Sequence, residues 1–381
     1  MDNKMLLGRI EEKSIVVITG GGDAGLYLYR MLRKEAAEKS IFLCDNSHKK
    51  QGRYGEYEVY PVEEMARRYQ DGIFLLTSSI HENMMRDQLI ALGIKEKNII
   101  LAVTEETEIF LNEQQRKKKL TPKQKLQFEV DIASHCNLNC KCCSQFSCIA
   151  DEEFIDVDQM RRDFERLGTL FDRECERIYL IGGEPLLHPR LPECMEIARN
   201  AFPVGKISVF TNGILLGSCN EDFWRVCRDN RITIIVTKYP IVLDYEKISQ
   251  KAIEENVTFE FFGASEDFKF MTNMGLDLSG NQLPEESFAC CIEANNCIKL
   301  SNGRLYTCTR PAAIYKFNNY FKKNLTVSEQ DFIDIYQTGS AEEILMSLAR
   351  PIPFCRYCNQ DRGVKHAMSW GQTEKRIEEW L

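Results

Sequence analysis

No stretch of this chain approaches the ~18 uninterrupted apolar residues that a membrane-spanning helix needs, so no membrane span is expected. The first residues, Met1-Asp-Asn-Lys-Met-Leu-Leu-Gly8, hold too short an apolar core for a secretion signal. Basic charge is not in excess either. Lys and Arg total 49 against 57 Asp and Glu, a net charge of −8, which gives no general reason to expect nucleic acid. The one Lys-rich run, Arg116-Lys-Lys-Lys119, lacks interleaved aromatics and reads as a solvated face. Histidine is scarce, with five residues, and His135 and His188 read as packed loop residues rather than ligands. Cysteine is abundant instead. Sixteen cysteines without a secretion signal argue against a disulfide framework and for metal ligation in a reducing, cytoplasmic setting. Cys44, Cys175, Cys194 and Cys227 sit in apolar-periodic segments and read as buried fillers.

The stretch Cys136-Asn-Leu-Asn-Cys140-Lys-Cys142-Cys143 places thiols at a C-x3-C-x2-C spacing. Cysteine thiolates are the usual ligands of iron–sulfur clusters, and three close cysteines leave one iron of a cubane without a protein ligand. An open metal position is what substrate chemistry needs, whereas a structural site fills every position. The spacing resembles the cluster loop of the radical S-adenosylmethionine (SAM) enzymes, in which SAM chelates the open iron and is cleaved to a 5′-deoxyadenosyl radical. One departure is Cys142, where the family usually has an aromatic residue, and it rivals Cys143 as third ligand. A structural zinc knuckle is the competing reading. Ile181-Gly182-Gly183-Glu184-Pro185, after the strand-like run Arg177–Ile181, resembles the family's Gly-Gly-Glu-Pro segment. The resemblance implies that its backbone and Glu184 contact the SAM amino group, and that Thr211 and Asn212 line the same site. No catalytic residue beyond these is assigned, and neither Lys238 nor Tyr239 earns a role by position alone.

The length suggests two or three domains. Near the N-terminus, Ser14–Thr19 reads as a buried parallel strand, followed by Gly20-x-Gly22-x-x-Gly25 and a helical pattern from Leu26 to Glu38. A second strand ends at Asp45. That is the context of a dinucleotide fingerprint, in which glycines let a phosphate approach a helix N-terminus. Further strands over Gly72–Thr77 and Asn98–Ala102 bracket a helix His81–Leu92, giving about four strands, half of a doubly wound fold. This half resembles the small Rossmann-like domains attached to sugar-modifying enzymes such as sugar O-acyltransferases. Gly20, Gly22, Gly25 and Asp45 are therefore candidate nucleotide contacts, with a silent docking domain as the alternative.

From Phe128 onward, strands alternate with helices, which implies a parallel sheet. The family resemblance implies a partial (β/α)6 barrel, of which five strands can be placed. The third region carries Cys290-Cys291, Cys297, an Asn302-Gly303 hairpin turn, Cys308 and the pair Cys355-Arg-Tyr-Cys358. Extending the hairpin ladder sets Cys297 opposite Cys308. The pattern resembles the Twitch form of the SPASM domain, which holds one auxiliary [4Fe–4S] cluster. Four of Cys291, Cys297, Cys308, Cys355 and Cys358 would be its ligands, with Cys290 as an alternate, and a four-cysteine zinc site is the competing reading. The tail Thr373–Leu381 reads as a short amphipathic helix.

The expected fold is thus α/β: a Rossmann-like half-domain over 1–112, a linker over 113–126, a partial barrel over 127–288 and a Twitch-like hairpin-and-helix domain over 289–381. The expected cofactors are a SAM-binding [4Fe–4S] cluster, SAM and a second cluster, with an external electron donor such as flavodoxin or ferredoxin. The expected substrate is a sugar-type small molecule, nucleotide-activated. Residues 1–110 alternate β and α, unlike the winged-helix leader-binding domains common in peptide-modifying relatives. A ribosomal-peptide maturase and a non-catalytic metal scaffold are the alternatives.

Overall fold

The structure is a computed structural model that describes residues 1–48, 50–54, 57–78, 82–262, 270–272, 275–359 and 367–381. It divides into two compact units, Met1–Arg116 and Lys117–Leu381.

The first unit opens with α1 (Asn3–Ile10), whose N-cap Asp2 accepts from the Met5 N–H. Only Leu6 and Ile10 of this helix are buried, too sparse a stripe to read from the sequence. β1 (Ile15–Thr19) follows, then α2 (Asp23–Glu35), β2 (Ser40–Cys44), β3 (Gly52–Tyr54), β4 (Tyr57–Tyr60), α3 (Val62–Arg68), β5 (Ile73–Leu76), α4 (Glu82–Ala91) and β6 (Ile99–Leu101). The sheet order is β3-β4-β2-β1-β5-β6, with β1 parallel to both β2 and β5 at its centre. Central placement explains why β1 is an uninterrupted apolar run. The sheet has six strands rather than about four. β3 and β4 pair antiparallel beside β2, and in β4 only Val59 is fully buried, so no alternation marks them. α2 starts three residues before the periodic pattern because Gly22 is its N-cap residue. Helix α4 matches the expected His81–Leu92 from Glu82 on; His81 lies outside the described residues. Next, α5 (Glu105–Lys119) runs through the first half of the stretch that reads as a linker.

In the second unit the strands β7 (Gln127–Ala133), β8 (Arg177–Gly182), β9 (Lys206–Thr211), β10 (Ile232–Thr237) and β11 (Phe259–Phe262) lie side by side, all parallel. Between them come α6 (Val157–Leu170), α7 (Leu191–Ala201), α8 (Glu221–Asp229) and α9 (Tyr245–Glu254). Alternation decides the faces. Phe128, Val130 and Ile132 of β7 join the core with Phe164 and Leu167 of α6, which leaves Glu129 and Asp131 on the opposite face. Beyond β11 come β12 (Phe270–Thr272), β13 (Gly275–Leu276) and α10 (Pro284–Cys290).

β14 (Lys299–Ser301) and β15 (Arg304–Tyr306) form the expected hairpin, with Ser301 opposite Arg304. Asn302 and Gly303 both take positive φ, 48° and 72°, as a tight two-residue turn demands. This hairpin extends the barrel's own sheet: β14 pairs parallel with β7, Lys299 beside Glu129. It supplies the sixth parallel strand, which at three residues is too short to show a period. The remaining elements are α11 (Thr309–Phe321), β16 (Ile333–Asp334), α12 (Ala341–Leu348), β17 (Cys358–Asn359) and β18 (Ala367–Ser369). Three ion pairs lock the hairpin and α11 to the barrel. Lys299 Nζ lies 2.6 Å from Asp131 and 3.4 Å from Glu129, while Lys316 Nζ is 3.7 Å from Asp131. Burial alone would raise Asp131, but the two ammonium groups hold it below the ordinary carboxylate range.

The tail differs from the expected helix. It contains one 3-10 turn, Ile377–Glu379, because Glu379's carboxylate accepts from the Thr373 hydroxyl and the Glu374 N–H and fixes an irregular path. Trp380, 2% exposed, pins it among Phe146, Phe317 and Phe321. Among the described residues no helix is long and apolar enough to cross a membrane.

Candidate active site and a second cysteine cluster

Because β7 to β10 are parallel, their C-terminal ends share one edge, where βα-barrel chemistry sits. The loops leaving those ends bring Cys136, Cys140, Cys143, Gly183 and Asn212 onto the wall of one cavity of about 610 Å³. Gly182 and Thr211, the last residues of β8 and β9, line it too. The cysteine loop and the glycine loop lie back to back: Gly183 N–H donates to the Ala133 carbonyl at 2.8 Å, and Glu184 N–H to that of His135 at 3.0 Å. A Cβ on Gly182 would strike the Ala133 oxygen, and one on Gly183 the His135 oxygen. Gly182 also takes φ of 123°. Both positions therefore require glycine.

Glu184 and Pro185 do not line the cavity. Glu184 is 0% exposed, and its carboxylate accepts from the Thr211 hydroxyl at 2.6 Å, the Asn212 N–H at 2.9 Å and the Leu186 N–H at 3.1 Å. Burial pushes it up to about 7 against those donors. The carboxylate thereby holds Thr211 and Asn212 on the wall. Asn212 in turn donates through Nδ2 to Asn137 Oδ1 at 2.7 Å and approaches Cys136 Sγ at 3.7 Å.

Burial pushes the Cys136 thiol up to about 12 and the Cys140 thiol up to about 11. Alone, both stay protonated at neutral pH, so a metal's positive charge is needed to make them thiolates. At the third position the two rival cysteines differ in direction. Cys142, at φ 57°, turns away and donates its S–H to the Glu379 carbonyl at 2.8 Å, whereas Cys143 faces the cavity. The thiols and the cavity's size suit a cubane plus a nucleoside ligand, more than a single ion needs.

Two residues on or beside this wall, Cys148 and Trp370, escaped the sequence reading, and a third, Tyr239, was given no role there. Cys148 lines the cavity. Tyr239 also lines it and hydrogen-bonds Cys140 through its hydroxyl. Trp370 Nε1 donates to Cys140 Sγ at 3.3 Å, since the tail pairs with the cysteine loop through Lys141 N–H to the Gly371 carbonyl and Thr373 N–H to the Asn139 carbonyl. A contact spanning 230 positions leaves no local signal.

The other thiols sort into two places. Cys291, Cys308, Cys355 and Cys358 are 6 to 7% exposed, and each lies within electrostatic reach of others in the set. Burial pushes Cys355 and Cys358 up to about 12. The buried Arg310 guanidinium faces Cys291, Cys308 and Cys358. Cys290 is exposed. Cys297 does not come opposite Cys308. The ladder ends at Lys299 and Tyr306, Asn295 N–H bonds the Thr307 carbonyl instead, and Cys308 becomes the N-cap residue of α11. Cys297 lines the large cavity. Cys44, Cys175, Cys194 and Cys227 are buried.

In the first unit the glycine loop follows β1 as expected. Asp45 accepts from the Gly21 N–H and the Ser47 N–H, both at 2.8 Å, and pairs with Lys50 at 3.3 Å. A Cβ on Gly25 would drive into the Gly20 carbonyl, so packing accounts for that glycine. At Gly22 only Lys50 Nζ, 3.8 Å away, comes near.

Residues 130–240 match the Radical SAM superfamily profile. The chain is 32% identical over 87 residues to the GTP 3′,8-cyclase of Chlorobaculum tepidum, a stretch covering 23% of this chain and 26% of that protein. It therefore spans about a quarter of that curated relative's length. Among solved structures, BtrN in complex with AdoMet and 2-DOIA aligns over 65% of this chain and 100% of its own, at 16% identity and TM-score 0.38. SuiB of Streptococcus suis bound to S-adenosylmethionine aligns over 50% of this chain and 47% of its own, at 13% identity and TM-score 0.31. The matched residues contain the cysteine loop, the glycine loop and the Thr211–Asn212 wall, so residues 130–240 carry the likeness to the Radical SAM superfamily.

Proposed function

We propose that this chain is a radical SAM enzyme that abstracts hydrogen from a nucleotide-linked sugar or related glycan precursor. The observation that carries the enzyme reading is that Cys136, Cys140 and Cys143 share one cavity wall with Gly182, Gly183, Thr211 and Asn212. The three thiolates hold a [4Fe–4S] cluster, which when bound supplies the electron for reductive SAM cleavage. Gly182 and Gly183 keep the wall free of side chains where SAM lies, and Pro185 with Glu184 closes the turn behind it. Trp370 and Tyr239 donate hydrogen bonds to Cys140, which fixes that ligand's direction.

Cys291, Cys308, Cys355 and Cys358 hold a second cubane, with Arg310 offsetting part of the thiolate charge. Cys290 and Cys297 are not ligands in this reading. A small external electron donor, such as flavodoxin or ferredoxin, reduces the enzyme. The sugar-type substrate rests on the first unit, whose strand, glycine loop and helix resemble the Rossmann-like domains attached to sugar-modifying enzymes.

The test is anaerobic reconstitution followed by SAM and a strong reductant. The expected result is about eight irons per chain, at four per cluster, and 5′-deoxyadenosine formation that a nucleotide sugar from a panel stimulates. Iron without SAM cleavage would favour the scaffold reading. Cleavage stimulated only by a short peptide would favour the maturase.

A further inference from the structure

The cavity does not stop at the SAM wall. Arg177 opens β8 and Gly182 closes it, and both line the same cavity. At ~3.3 Å per residue the space follows the strand for about 17 Å, the length of an extended small molecule rather than one sugar ring. Its far end is built by Arg177, Tyr179, Gln127, Asn296 and Cys297.

Charge distinguishes that end. The two carboxylates on the cavity wall are already compensated: Glu129 by Lys299 at 3.4 Å, and Glu293 by Arg310 at 3.9 Å. Arg177 is the cation on the wall, and among the described residues no carboxylate lies within 4.0 Å of it. Its Nη1 donates to the Tyr179 hydroxyl at 2.7 Å, and its guanidinium stands 5.5 Å from that ring's centre, so one edge is fixed. Lys123, half-buried, feels the charges of Lys118 and Arg177, with Glu176 as the nearby acid. Lys119 feels Lys118 and Lys123, and its Nζ donates to the Ile292 and Ala294 carbonyls at 2.9 and 2.6 Å. Burial, helped by these like charges, pulls both Lys119 and Lys123 below the ordinary lysine value.

We propose that Arg177 anchors a phosphate-binding subsite at the end of the cavity opposite the cysteine loop, which takes the diphosphate of a nucleotide-activated substrate. This rests on the proposed function and deepens it by placing the phosphate in the barrel. The planar guanidinium, anchored by Tyr179, presents paired donors to phosphate oxygens, and Lys123, within electrostatic reach of Arg177, adds to the positive field from outside the wall. The sugar then points along β8 toward the SAM wall.

The experiment is calorimetric titration of the cluster-loaded full chain with inorganic diphosphate, without SAM or reductant, at low and moderate salt. Wild-type protein is expected to bind with an affinity that falls as salt rises. Arg177→Gln should weaken binding at least tenfold, Arg177→Lys less, and Lys123→Gln a few-fold, with thermal melting confirming that each variant is folded. Binding that persists in Arg177→Gln but disappears in Gly22→Val would overturn the subsite, placing the anion on the first unit. Binding of succinate as tight as diphosphate would overturn the phosphate assignment in favour of a carboxylate. No diphosphate binding by wild-type protein would overturn the subsite outright. Because SAM cleavage is assayed separately, a failure here leaves the radical SAM reading standing, and a failure there leaves this result readable.

Discussion

The two cysteine sets face opposite surroundings. Cys136, Cys140 and Cys143 line a large cavity, whereas Cys291, Cys355 and Cys358 lie within a hydrophobic cluster with Phe288, Phe317 and Phe354, and Cys308 is buried within electrostatic reach of them. The first set leaves room for a ligand that is not protein, and the second is walled by protein with a buried arginine beside it. An open site suits binding and cleaving SAM, and a sealed one suits electron storage or bracing the fold.

The largest effect expected from this contrast comes from replacing Cys136, Cys140 and Cys143 together by Ala. SAM cleavage should disappear, and about half of the roughly eight irons should be lost, since each cubane holds four. The comparison breaks if the triple variant still forms 5′-deoxyadenosine at the normal rate.

Next comes Cys308→Ala, which should cost about four irons and lower the melting temperature, because a metal-held core depends on its ligands. Cys297→Ala and Cys290→Ala should leave the iron content at the wild-type level. Iron lost from Cys297→Ala would move that thiol back into the ligand set.

A smaller effect belongs to Glu184, which acts through Thr211 and Asn212. Removing a charged acceptor from buried donors costs about 1.5–3 kcal/mol, so Glu184→Ala should weaken SAM binding by roughly tenfold or more. Thr211→Val should weaken it less, since Asn212 keeps its bond to Glu184. Equilibrium SAM binding to the oxidised protein reads both.

The smallest effect is expected from Trp370→Phe, which deletes the N–H donated to Cys140 Sγ. Hydrogen bonds to the sulfurs help set a cluster's potential, so the open cluster should become harder to reduce while the sealed one does not change. Redox titration followed by EPR separates the two.

Much of this was legible in the sequence because the informative residues are local. The cysteine loop, the glycine loop and Thr211-Asn212 each sit at a strand end, and a parallel sheet must bring such ends together. The register of the Asn302-Gly303 hairpin was likewise fixed by its turn. What failed to show depends on distant pairing. The sixth strand is three residues that become a strand only beside β7. Cys142 carries the same local signal as Cys143, and its direction is set by Glu379, far away in sequence. The extrapolated Cys297–Cys308 pairing failed because the ladder gives way to the N-cap of α11. Nothing in the neighbourhood of Glu184 reveals the three donors aimed at it from Leu186, Thr211 and Asn212.

The most direct test of the open-and-sealed contrast is the EPR spectrum of the reduced, cluster-loaded chain before and after SAM is added. In Cys308→Ala, which keeps only the open cluster, SAM should change the signal. In the Cys136, Cys140 and Cys143 triple-alanine variant, a cluster signal should remain and SAM should leave it as it was. A signal in the triple variant that responds to SAM, or no remaining cluster signal at all, would contradict the account.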